Sequence, residues 1–239
     1  MRLLRSVMFL ALLVFGILLA TRLFGGDGGG AAKPGSESSG ATIATTFHRA
    51  VTMLEVEPED RRPYSRSRFE EGTAGGGWAD LDGDCQDTRA EVLKRASLVP
   101  VTNGCRIYRG KWLSYYDNKA WTRSYEVQID HLVPLAEAWD SGAWAWDAPT
   151  RLRYANDLDD PRALVPTTAA LNYVKLADDP QAYVPKMNAC RYVSSWVAIK
   201  LRWGLTVDRR EIEAIDAVAA SCPDVRLAFE KTTVGKAPA

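Results

Sequence analysis

Four cysteines constrain this chain more than any other feature: Cys85, Cys105, Cys190 and Cys222. They lie downstream of an export-type start, in which Arg2 and Arg5 precede an apolar run from Val7 to Ala20. That run suits the core of a signal peptide, whereas a spanning helix needs about 20 residues. Residues 1–24 are therefore expected to be a signal peptide or an uncleaved N-terminal membrane anchor, with residues 7–24 as the tether in the second case. Either way the cysteines reach an oxidising compartment, outside the cell or on its surface. An even count there implies two disulfides, with three pairings open. The C-terminal pattern chooses among them. Apolar Val193, Trp196, Val197 and Leu201 mark one face of a helix from Cys190 to Trp203, ended by Gly204. Asp208 and Glu211 form a capping box for a second helix carrying Ile212, Ile215 and Val218. A short loop makes the two antiparallel neighbours, so Cys190 and Cys222 fall at the same end of the pair. This predicts Cys190–Cys222 and leaves Cys85–Cys105.

The 239 residues are 46% apolar, enough for one globular core. Lys plus Arg and Asp plus Glu are each 30, which excludes a protein that coats nucleic acid by bulk positive charge. Two histidines, His48 and His131, exclude a zinc site built from several imidazoles. Residues 25–46, rich in Gly, Ser, Ala and Thr, read as a flexible linker. The folded domain is expected over 47–226, with 227–239 as a flexible tail.

Within the domain, Asp80, Asp82 and Asp84 alternate as in calcium loops, and an Asp/Gly-rich turn is the competing reading. Thr88 to Glu91 resembles a capping box for a helix over 88–96. Cys105 to Leu113 reads as a hairpin turning near Arg109-Gly110. Tyr125, Val127 and Ile129 alternate with polar residues, predicting a strand that ends on Asp130-His131. Short helices follow at 135–141 and 150–155. Ala163–Val165 is a second strand, and Thr167 or Thr168 caps a helix bearing Asn172 and Lys175.

Asp130-His131-Leu-Val-Pro134, then Asn156, then Asn172-Tyr-Val-Lys175 is a specific order. It resembles the HNH, or ββα-metal, nucleases, in which a two-stranded hairpin and one helix hold a single divalent ion. More closely, DHLVPLAEAWDSGAWAW, ANDLDDP and the segment from Asn172 through Tyr183-Val-Pro185 are similar to the C-terminal domain of GmrSD-type restriction endonucleases. DLDGDCQDTRAEVL and CRYVSSWVAIKLRWGL resemble the exported actinobacterial form of that domain. The resemblance implies an α+β fold, with a small ββα-metal core and additional helices, including the C-terminal antiparallel pair. It implies Asp130 and Asn172 as metal ligands, His131 as general base, Asn156 as the residue holding the His-bearing loop, and Lys175 as the basic group near the phosphate.

The residue types suit that chemistry. Phosphodiester hydrolysis needs an activated water and a stabilised leaving oxygen. A neutral imidazole near pH 7 can take the water's proton. One carboxylate and one amide are hard oxygen donors that suit Mg²⁺, or Mn²⁺, rather than zinc. Arg89 and Arg109 are further candidates for holding phosphates. The expected activity is non-specific hydrolysis of DNA, with RNA as a second substrate class, and no obligate protein partner. Calcium at Asp80, Asp82 and Asp84 is a separate structural expectation. The helix motif departs from the family's Asn-Arg-x-Lys-Gly: Tyr173 replaces the Arg and Leu176 the Gly. That departure motivates an alternative, a catalytically weak surface-binding module of the same fold.

Overall fold

The computed structural model describes residues 40–73 and 77–237. The signal or anchor segment, and the linker up to residue 39, lie outside the described residues. The first elements are β1 (Thr42–Thr46) and α1 (Phe47–Val51). Then come α2 (Thr88–Ala96), β2 (Arg109–Leu113), β3 (Ala120–Arg123) and β4 (Val127–His131). α3 (Leu135–Asp140), α4 (Ala148–Ala155), β5 (Leu164–Thr168) and α5 (Ala169–Lys175) follow. α6 (Ala189–Trp203), α7 (Arg209–Ala219) and β6 (Arg226–Glu230) complete the order. The strands form three separate antiparallel pairs, β1–β6, β2–β3 and β4–β5. This is an α+β arrangement, and no described helix is long and apolar enough to cross a membrane.

The helices follow their local signals. α6 ends on Gly204 at φ 62°, a left-handed turn that suits glycine. α7 starts where the Asp208 carboxylate accepts the Glu211 N–H at 2.7 Å. α2 spans Thr88–Ala96, but its cap is Asp87, whose carboxylate accepts from Ala90 N–H at 2.8 Å. Thr88 instead donates its hydroxyl to the Ala79 carbonyl. Both disulfides have the expected pairing, Cys85–Cys105 and Cys190–Cys222.

Three expectations fail in the strands. The hairpin after Cys105 does not turn at Arg109-Gly110. Those residues open β2, and the chain reverses between Leu113 and Ala120, with Asn118 at φ 56°. Gly110 serves close packing: a Cβ there would lie 2.5 Å from the Trp112 ring. Tyr125 is not in the strand. Ser124–Glu126 is a 3₁₀ turn that leaves Tyr125 72% exposed, and β4 begins at Val127. Composition assigned 42–46 to the linker and 227–230 to the tail. The β-branched Thr-Ile-Ala-Thr-Thr and the alternating Arg-Leu-Ala-Phe-Glu instead pair in register, burying Leu227 and Phe229. The following residues dock too, with Thr232 N–H donating to Arg202 O and Ala237 N–H to Ala145 O.

The core is dominated by α6, from which Tyr192, Val193, Trp196, Val197 and Ile199 are fully enclosed. Lys200 lies in its middle at 0% exposure. Its ammonium bonds Glu137 Oε1 on α3 (2.5 Å), Glu211 Oε2 on α7 (2.8 Å), Ser141 Oγ and the Thr206 carbonyl. One cation thus ties three helices together, and two carboxylates share it. Burial, followed by the neighbouring Glu137 charge, pushes the Glu211 carboxyl up to about 7 against the pull of Lys200.

Candidate active site

β4, β5 and α5 form one unit. β4 and β5 pair from Val127–Thr168 to His131–Leu164, and α5 follows β5 directly. Asn172 on α5 donates its amide to Gln128 Oε1 on β4 at 2.7 Å, fastening helix to strand. A cleft of about 400 Å³ opens along this unit. Gln128, Asp130, His131, Asn172 and Tyr173 line it, and Tyr64 and Arg66 face them from the N-terminal segment.

His131 ends β4 with its ring almost enclosed. Nε2 lies 2.8 Å from the Ala155 carbonyl at the end of α4. A carbonyl can only accept, so Nε2 carries the proton and Nδ1 is the ring's acceptor. Trp78 stacks on the imidazole, with centroids 5.2 Å apart and planes 18° from parallel. Burial pushes the His131 pKa down to about 3; the Ala155 bond opposes the shift, and the charges of Arg66 and Lys175 add to it. The imidazole is therefore neutral at pH 7.

Asn156 secures both partners of that ring. Its Oδ1 accepts the Ala79 N–H at 3.0 Å, and its Nδ2 donates to the Leu152 carbonyl at 2.9 Å. It clamps the Trp78-Ala79 arm onto the same helix end that offers Ala155. Thr88 holds the arm from the other side, through Ala79 O.

Asp130 uses one oxygen inward. Oδ2 accepts from Tyr116 Oη at 2.5 Å and pairs with Lys175 Nζ at 3.0 Å. Burial and the adjacent Asp130 charge raise the Tyr116 pKa, so its hydroxyl stays a donor. Lys175 is fully buried and also donates to the His131 carbonyl at 3.0 Å. It braces the Asp130-His131 backbone from beneath, away from the position beside a phosphate that the family pattern implies. The groups left with no partner among the described residues are Asp130 Oδ1, Asn172 Oδ1 and His131 Nδ1.

The arginines chosen from sequence lie elsewhere. Arg89 donates to the Ser124 and Val127 carbonyls, at 2.8 and 2.7 Å, and supports the entry to β4. Arg109 is exposed on β2. The one cation lining the cleft among the described residues is Arg66, which sequence reading missed because a short Arg-Ser-Arg-Phe turn carries no local sign of its partner. Trp78 and Tyr116 were missed for the same reason. Asp80, Asp82 and Asp84 do bring carboxylate oxygens within 4.8 Å of one another on an exposed loop. Their carboxylates already accept main-chain N–H groups of Gly83, Asp84, Cys85 and Gln86, as an Asp-rich turn does.

The family model for the C-terminal domain of GmrSD restriction endonucleases matches residues 86–217, more than half the chain. The chain belongs to this family. An uncharacterised secreted protein of Arthroderma benhamiae is 33% identical over 183 residues, covering 75% of this chain and 86% of that relative. No solved structure matches. The match to the GmrSD domain gives the chain a nuclease-family relationship and includes the whole β4–β5–α5 unit.

Proposed function

We propose that this GmrSD-type domain is an exported, metal-dependent endonuclease that hydrolyses phosphodiester bonds of DNA, with RNA as a second substrate class. The observation that carries the reading is the state of His131. Its proton is fixed on Nε2 by Ala155 O, its Nδ1 has no partner among the described residues, and burial keeps it neutral. Such a ring can accept a proton from a water at the cleft, and the negative charge of a bound phosphate would raise its pKa from about 3 toward the range in which a general base contributes about 10²–10⁴-fold. Trp78 and Asn156 hold the ring's plane and tautomer. Arg66 lines the cleft with its Nε paired to Glu70 Oε1 at 2.8 Å, and its remaining N–H groups would hold a phosphate oxygen.

The donor set fits a hard divalent ion. Asp130 and Asn172 line the cleft, each with an Oδ1 that has no partner among the described residues, and the disulfides leave no free cysteine. Asp130 and Asn172 would hold Mg²⁺ or Mn²⁺, which when bound supplies charge neutralisation for the phosphate and the departing oxygen.

A second reading, a catalytically weak surface-binding module, draws on the Asp130–Lys175 pair. That pairing reduces the net negative charge offered to a cation. Plasmid and linear-DNA cleavage by the disulfide-intact protein in Mg²⁺, Mn²⁺, Ca²⁺ or EDTA, beside His131→Ala, separates the two. The nuclease reading expects cleavage in Mg²⁺ or Mn²⁺ that the variant loses while its thermal transition persists. Cleavage retained by His131→Ala refutes the assigned base, and no cleavage in any metal favours the binding module.

A further inference from the structure

Beside the cleft lies a surface that the hydrolytic groups do not use. Residues 106–123, which include the β2–β3 hairpin, hold five cationic residues and a single carboxylate, Asp117, in a chain whose charges balance overall. Asp117 is engaged with the Thr168 hydroxyl. Arg109 and Arg123 stand directly opposite each other in the β2–β3 register, both exposed. Like charges at facing positions destabilise a strand pair unless an anion lies between them. Arg109 has no acidic partner among the described residues. Arg123 donates to Tyr125 Oη at 2.6 Å, and the neighbouring Glu126 carboxylate is turned to the Arg123 main-chain N–H.

Aromatic rings continue this surface. Tyr108 and Tyr125 are 66% and 72% exposed, and they are drawn together where Ser124 N–H donates to Tyr108 O. Tyr173, 74% exposed, stands at the cleft itself. The hairpin is fixed to the same end of the ββα unit, because Trp121 Nε1 donates to Thr168 Oγ1 at 3.0 Å. Tyr125 is three residues before Gln128 of the cleft, at most about 10 Å of chain. Cations for phosphates, interleaved with exposed rings for bases, make the pattern of a single-strand track.

We propose that the β2–β3 hairpin, through Arg109, Arg123, Tyr108 and Tyr125, binds single-stranded polynucleotide and feeds it past Tyr173 into the cleft. This rests on the nuclease reading, but its test does not. Binding of a labelled oligothymidylate to the full disulfide-bonded chain is measured by anisotropy in EDTA, where no cleavage is required. Arg109→Ala/Arg123→Ala removes two phosphate contacts, so the slope of log affinity against log salt should fall by about 1.4. The gap between variant and wild type should then shrink about 7-fold from 50 to 200 mM salt. Tyr125→Ala should weaken binding with the salt slope unchanged. An unchanged salt slope in the double variant overturns the track. So does a wild-type protein that binds duplex of equal length as tightly as the single strand. Loss of binding in the variants, from a protein that cleaves nothing, supports the track and overturns the nuclease reading.

Discussion

Replacing Lys175 with Met tests the underside of the site. The ammonium is fully buried, 3.0 Å from Asp130 Oδ2 and 3.0 Å from the His131 carbonyl. Methionine keeps most of the volume and removes the charge. Breaking a buried pair by removing one partner costs about 3–5 kcal/mol, because the other charge is left without compensation. For a domain of this size each kcal/mol moves the melting temperature by about 2–4 °C, so Lys175→Met should melt about 6–20 °C below wild type. Thermal unfolding followed by near-UV circular dichroism, with disulfides intact, reads this directly. Adding Asp130→Asn removes the orphaned carboxylate and should recover about 0.5–3 kcal/mol, the usual coupling of contacting groups. A Lys175→Met protein that melts within about 2 °C of wild type, yet cleaves poorly, would refute the reasoning. Such a lysine would be a phosphate ligand with little structural work.

Three further outcomes follow from the same geometry. Trp78→Ala frees the His131 ring and should lower kcat about 10–100-fold with a smaller change in KM, while Trp78→Phe, which can still stack, should keep most of the rate. Removing Cys190–Cys222 by Cys190→Ala/Cys222→Ala opens a link across a sequence separation of 32 and should cost about 3.7 kcal/mol in chain entropy, read as a lower denaturant midpoint. Glu211 titrates near 7 in the folded state against an ordinary 4.5, so its protonation adds stability that is complete below pH 4.5 and is lost as pH rises through 7. Glu211→Gln mimics the protonated form. Its melting temperature relative to wild type should therefore rise steadily from pH 5 to pH 8, and a flat difference would refute the assignment.

What could be read from the sequence was local and periodic. The α6–α7 hairpin followed from a 3.6-residue stripe, Gly204 and the Asp208 cap, and its geometry then chose Cys190–Cys222. The order Asp130-His131, Asn156, Asn172 pointed to one strand end, one helix end and one facing helix; the fold brings Asp130, His131 and Asn172 to one cleft and buries Asn156 at the end of α4. What stayed hidden depends on distant partners. Lys175 reads as the basic group beside the phosphate, but Asp130 and the His131 carbonyl draw it inside. Trp78 meets His131 across 53 positions, with no local pattern to announce it. Gly110 looked like a turn because glycine usually marks one, whereas here the Trp112 ring needs the space.

That dependence on distant partners carries a biological consequence for a chain that, as proposed, is made in one compartment and used in another. The Asn156–Ala79 clamp spans 77 positions, the Lys175–His131 brace spans 44, and the arm bearing Trp78 leads into a loop pinned by Cys85–Cys105. None of these links can form on a nascent chain until late in collapse, and the covalent one needs an oxidising medium. If the chain is exported as proposed, it would cross its own cell without an assembled catalytic centre, and the compartment where it folds would itself act as the safety catch.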